Sequence, residues 1–91
     1  MLTVKVLGPG CMNCDKLEQH AVQAAEDFQA HHSGVEIAVQ KLTDVRRFVD
    51  YGLLTTPGLV INERLVTSGR IPPPAQILGW MEEAHLQGSA E

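Results

Sequence analysis

The 91-residue chain predicts an α/β fold in the order βαβαββα, with three helices flanking a four-stranded mixed sheet. Three observations carry this. Two short runs alternate apolar and polar residues, as half-buried strands do. Between them, apolar residues recur four, three and four apart, which is the stripe of a helix buried on one side. After them come two apolar runs around a tight turn, and then a proline-led helical segment.

The first strand is "LTVKVL" (2–7), with Leu2, Val4 and Val6 on one face, and "GPG" (8–10) ends it because glycine and proline break a ladder. The first helix runs from Met12 to about Ala30. Its stripe is Leu17, Ala21, Ala24 and Phe28, and Ser33-Gly34 closes it, with His31 and His32 beside its negative C-terminus. "VEIAV" (35–39) is the second strand. Thr43 and Asp44 are N-cap candidates for a short helix whose Val45, Phe48 and Val49 share a face, and which stops near Gly52. "GLVIN" (58–62) and "LVTS" (65–68) form a hairpin about Asn62-Glu63-Arg64. "PPP" (72–74) opens the last helix, with the stripe Ile77, Trp80, Met81 and Ala84. His20 and His85 lie off these stripes and read as plain surface residues. Residues 1–91 read as a single domain, with 86–91 a frayed tail.

Composition narrows the function. A net charge of −4 argues against nucleic acid, whose phosphates require a basic footprint. No apolar stretch approaches a membrane span, and "MLTVKVLGPG" lacks the plan of a signal peptide. The expectation is a cytoplasmic protein with no membrane partner, where a close cysteine pair is more often catalytic or metal-binding than a structural staple.

That pair, Cys11 and Cys14, holds the only sulfhydryls in the chain. Cys14 falls three residues before Leu17, in line with the stripe, and points inward. Cys11 falls one turn earlier, at the start of the helix. There the unpaired backbone N–H groups favour a thiolate and lower a thiol pKa from about 8.5 to roughly 3.5–7.5. An exposed, activated sulfur followed by a sheltered one suits thiol–disulfide exchange, in which the first attacks and the second releases the mixed disulfide. Two other readings stay open. The thiols are simply buried apolar residues, or they form a two-thiolate site for a soft ion such as copper(I). A structural zinc site needs four ligands, and the histidine pair His31-His32 sits at the wrong end of the helix. No metal is therefore assigned.

"VKVLGPGCMNCDKLE" followed by "YGLLTTPGLVINERLVTSGRIP" resembles the thioredoxin/glutaredoxin superfamily, most closely its small thioredoxin-like redox-active disulfide proteins, over about Thr3 to Trp80. The resemblance implies a thioredoxin-like fold. It makes Cys11 the nucleophile, Cys14 the resolving thiol and Pro57 a cis-proline facing them. It also makes Gly69 the glycine that lets the last helix begin close to the sheet. Pro57 can end the loop before "GLVIN" without removing a donor from the middle of the ladder. The Thr56 backbone would then pair with an extended substrate segment, and the intervening Met12 and Asn13 would complete the contact surface. The chain departs from the pattern at three places. Met12-Asn13 has neither the Gly-Pro of thioredoxins nor the Pro-Tyr of many glutaredoxins. Lys5 stands six before the first cysteine, where typical thioredoxins have a buried acid. Gly10, not tryptophan, precedes Cys11.

The function expected is that of a thiol-disulfide oxidoreductase, an enzyme with no cofactor beyond its own Cys11–Cys14 redox-active disulfide. Its partners would be a protein disulfide or small thiol carrier and a reductase, either thioredoxin-reductase-like or glutathione, with the protein acting as a monomer. The alternatives are a copper(I)-type binding module and a non-catalytic redox-sensing interaction module. Metal-binding domains with CxxC run βαββαβ and end on a strand, whereas this chain ends on a helix.

Overall fold

A computed structural model describes residues 2–8, 12–53 and 55–89, the side chains of 87–89 apart. The elements are β1 (Leu2–Leu7), α1 (Met12–His31), β2 (Ile37–Leu42), a 3₁₀ helix (Val45–Tyr51), β3 (Gly58–Ile61), β4 (Arg64–Ser68) and α2 (Pro74–Ser89). The sheet order is β2-β1-β3-β4. β1 pairs parallel with β2 and antiparallel with β3, and β3 pairs antiparallel with β4, so the sheet is mixed.

Alternation along the two central strands builds a core on each face. Leu2, Val4 and Val6 of β1 and Leu59 and Ile61 of β3 meet Leu17, Ala21, Ala24 and Phe28 of α1 and Ile77 and Met81 of α2. Leu7 and Val60 point the other way, onto Phe48 and Leu53. All four residues of β3 are buried. This is why "GLVI" reads as a continuous apolar run rather than an alternating one.

Four sequence expectations are corrected. The second strand lies at 37–42 rather than 35–39. The short helix is 3₁₀, and at three residues per turn Phe48 and Tyr51 align on the sheet while Val49 turns to solvent, 77 % exposed. Val45 is likewise exposed. Asp44 is its N-cap and accepts from the Arg46 N–H, and left-handed Gly52 closes it. α2 continues to Ser89, past the residue where the tail was expected to begin. Finally, two histidines are not plain surface residues. The ring of His20 is hydrogen-bonded through Nδ1 to the Pro72 carbonyl, 2.9 Å away. His85 lies edge-on to Phe28, 5.5 Å between centroids. His31 does sit at the helix end, with its Nδ1 2.9 Å from the Asp27 carbonyl oxygen, and His32 reaches Glu82 at 2.6 Å.

The hairpin turn consists of Asn62 and Glu63, both with positive φ (52° and 66°), the conformation that matches strand twist in a two-residue connection. Glu63 is also an anchor. Lys5 Nζ donates to Glu63 Oε1 at 2.6 Å and to Tyr51 OH at 2.8 Å, and Tyr51 OH donates to Glu63 Oε2 at 3.1 Å. The Lys5 ammonium holds the Glu63 carboxyl below its ordinary 4.5, and Glu63, then Tyr51, hold Lys5 above 10.5. A lowered carboxyl stabilises the fold above its unfolded value and loses that share as pH falls through the lowered one. A raised ammonium is lost only as pH rises through its raised value. Glu63→Gln should therefore lower Tm slightly at neutral pH and leave it unchanged well below pH 4.5. Thermal unfolding at both pH values tests this, and equal Tm at neutral pH would show that the anchor contributes nothing.

Candidate active site

The two cores leave one end of the sheet for chemistry. Leu7, the last residue of β1, stands opposite Leu42 in one ladder and Gly58 in the other. Gly8 extends the first ladder by one bond, its N–H donating to the Leu42 carbonyl at 3.0 Å. The chain returns from this end as α1. Cys14 is its third residue, fully buried at the head of the stripe that Leu17, Ala21, Ala24 and Phe28 continue. Met12 and Asn13, in the same turn, face solvent, Met12 at 78 % exposure. Helical period alone separates them: the position three before a buried leucine goes in, and its two predecessors go out.

The second loop at this end leads into β3. The Thr56–Pro57 peptide bond is cis, with Pro57 buried and Thr56 exposed. Pro57 directly precedes Gly58, the partner of Leu7, so this loop and the start of α1 flank the same strand end. The Pro57 carbonyl accepts the Gly69 N–H at 2.7 Å, and Gly69 has the left-handed φ of 70°. A Cβ there would come within 2.8 Å of Thr55 Oγ1. Gly69 thus ties to the proline loop, and α2 begins five residues later at Pro74. Of the predicted site residues, Cys14, Met12, Asn13, Thr56 and Pro57 therefore share one end of the sheet. Cys11, with Pro9 and Gly10, lies outside the described residues.

Residues 2–82 match the sequence model of the thioredoxin domain. The chain belongs to the thioredoxin-domain family. It is 27 % identical over 77 residues to a thioredoxin of Methanothermobacter thermautotrophicus, a match covering 85 % of this chain and 94 % of that protein. A thioredoxin of Methanocaldococcus jannaschii is 26 % identical over 77 residues, covering 85 % and 83 %. The sheet order and the helices fit the thioredoxin-like α/β fold. Membership places the chain among thioredoxin-like redox proteins. None of its described helices is long and apolar enough to cross a membrane.

Within this thioredoxin-like frame the Lys5 position has a distinct use. Its ammonium is held by Glu63 in the β3–β4 turn, and Glu63 lies beyond the end of β3 opposite to Gly58. The Lys5 ammonium is thus engaged by Glu63 and Tyr51. A different lysine serves the sulfur end. Lys41 on β2 donates to Asp15 Oδ1 at 2.5 Å and lies 4.0 Å from Glu18. The hydrogen bond to Asp15, helped by the charges of Asp15, Glu18 and Cys14, holds the ammonium above its ordinary 10.5.

Lys41 and Gly8 are the two residues that the sequence reading passed over. The signal for Lys41 was present: Asp15 and Glu18 are three apart on α1, and Lys41 is in phase with Ile37 and Val39, which face the helices. Gly8 read only as a strand breaker, because a close approach of two backbones has no periodicity. Among the described residues, no group of three side chains is placed to hold a metal ion.

Proposed function

We propose that the protein is a thiol-disulfide oxidoreductase that cycles a Cys11–Cys14 dithiol and disulfide against protein disulfides or a small thiol carrier. The observation that carries this reading is the burial of Cys14 in the first turn of α1, at the sheet end that also holds Thr56 and Pro57. Cys11, immediately before the first residue of α1, is the attacking thiol. Cys14 is the resolving thiol, sheltered from outside disulfides by its burial. Thr56 offers its exposed backbone to an extended substrate segment, and Met12 supplies an apolar contact at the same end. The reaction needs no cofactor beyond the cysteine pair. We place it in the cytoplasm, as a monomer supplied with electrons by a thioredoxin-reductase-like protein or by glutathione.

A redox titration against glutathione or dithiothreitol, with thiols counted by alkylation, tests the reading. A reversible two-electron couple is expected. Thiols that stay reduced under every oxidant yet bind copper(I) tightly would replace it with the metal-binding alternative. Alkylation of the reduced protein across pH should also show Cys11 reacting first, with an apparent pKa below about 8.5. Faster reaction at Cys14 would reverse the two roles.

A further inference from the structure

Gly8 is buried at the end of β1, and its φ lies outside the left-handed region, so its backbone is open to any residue. What excludes a side chain is space. A Cβ built on Gly8 would stand 2.1 Å from Cys14 Sγ and 2.9 Å from Cys14 Cβ. The sulfur thus occupies the place where every other amino acid carries its first side-chain carbon.

We propose that Gly8 is a positioning residue for the resolving thiol: its missing side chain is the seat of Cys14 Sγ, and it sets how deep that sulfur lies. The inference rests on the oxidoreductase reading above. Neither partner can yield cheaply. Gly8 is tied to Leu42 by its N–H, one residue beyond the Leu7–Gly58 pair. α1 is pinned by Leu17, Ala21, Ala24 and Phe28, all fully buried, so sliding the helix would open the core. The softest response left is rotation of the Cys14 side chain, which turns the sulfur out of its seat, together with a small shift that relieves the 2.9 Å contact at Cys14 Cβ.

Depth matters in the second half of the reaction. The Cys14 thiol gives its proton to solvent and its thiolate attacks the Cys11 sulfur of the mixed disulfide. A Cys11–Cys14 bond forms, the Cys11–substrate bond breaks, and the electron pair leaves on the substrate sulfur, which takes up a proton. The protein dithiol loses two electrons and the substrate disulfide gains them. A seated sulfur is shielded from solution, and a misplacement of about 1 Å can cost on the order of 10²-fold in such a step.

Gly8→Ala is the test, read in two arms. In a Cys11→Ser background, iodoacetamide should label Cys14 about tenfold faster when Gly8 is alanine, because thiol reactivity follows access. This arm needs no redox activity. In the chain with both cysteines, an aromatic disulfide with a coloured thiol product should release its first equivalent at the unsubstituted rate, and its second about ten- to a hundredfold more slowly. If Gly8→Ala does not fold, Gly8→Ala/Cys14→Ala should, since removing the sulfur clears the 2.1 Å clash and leaves only the 2.9 Å contact with the residue-14 Cβ, which a small shift relieves. Unchanged labelling together with an unchanged second release overturns the proposal. So does failure of both alanine variants to fold, which would mean that the Cβ or backbone of residue 14, rather than its sulfur, needs the space. Absence of the first release in the unsubstituted protein instead overturns the oxidoreductase reading and leaves the labelling arm intact.

Discussion

Cys14→Ser should accumulate covalent complexes with substrate in a cell lysate, while Cys11→Ser accumulates none. Exchange passes through a mixed disulfide, and only a second thiolate within the same molecule resolves it quickly. A serine hydroxyl is not ionised near neutral pH and does not attack sulfur, so turnover should stop after one event. The expected effect is near-complete loss of multiple-turnover disulfide reduction, with the complex visible on a non-reducing gel and its partner identifiable by mass. Burial of Cys14 adds a stability cost. The unfolding midpoint should therefore be measured alongside. Cys14→Ala, with no hydroxyl to satisfy, should trap equally well. Equal trapping by Cys11→Ser and Cys14→Ser would remove the order of attack proposed here.

Phe28→Ala should be among the most destabilising single changes in the chain. The ring is fully buried near the C-terminal end of α1. His32 stacks on it at 4.3 Å with the planes 24° apart, and His85 of α2 meets it edge-on. Truncation removes the contact that both imidazoles share and leaves a cavity between the helices. Such changes cost about 3–5 kcal/mol, a large part of the ~5–15 kcal/mol that a domain of ordinary stability possesses. Urea unfolding should show a lower midpoint with an unchanged slope. A loss under about 1 kcal/mol would mean that the two helices close over the gap. Phe28 lies fourteen residues beyond Cys14, roughly 21 Å along the axis at ~1.5 Å per residue. The thiol chemistry of the fraction that remains folded should therefore be unaffected.

The contrast between Phe28 and Gly8 explains how far the sequence could be read. Phe28, Leu17 and Cys14 lie on one helical stripe, and a period of 3.6 residues fixes their common direction without a structure. The first two strands announced themselves by alternation, β3 by a continuous apolar run, and Thr56-Pro57 by its place before that run. What remained hidden depends on contacts between segments distant in sequence. His20 finds the carbonyl of Pro72, in the segment leading into α2. Lys5 crosses to Glu63, fifty-eight positions on. The 3₁₀ winding of Val45–Tyr51 leaves no separate signature in the sequence, because Val45, Phe48 and Val49 fit an α-helical face equally well, and the shorter period shows only in the packing of Phe48 and Tyr51 on the sheet.

Trp80 gives the molecule an optical property of its own. It is the only tryptophan in the chain, half-buried on α2 against the helix-side core and bordering a groove formed by Ile71, Pro72 and Pro73. Glycine occupies the position before Cys11, so no indole is adjacent in sequence to that cysteine. Emission from Trp80 is consequently a gauge of α2 docking, and the absorbance of a thiol reagent is a gauge of the cysteines. A single cuvette can report both, which separates a variant that has lost its chemistry from one that has lost its shape.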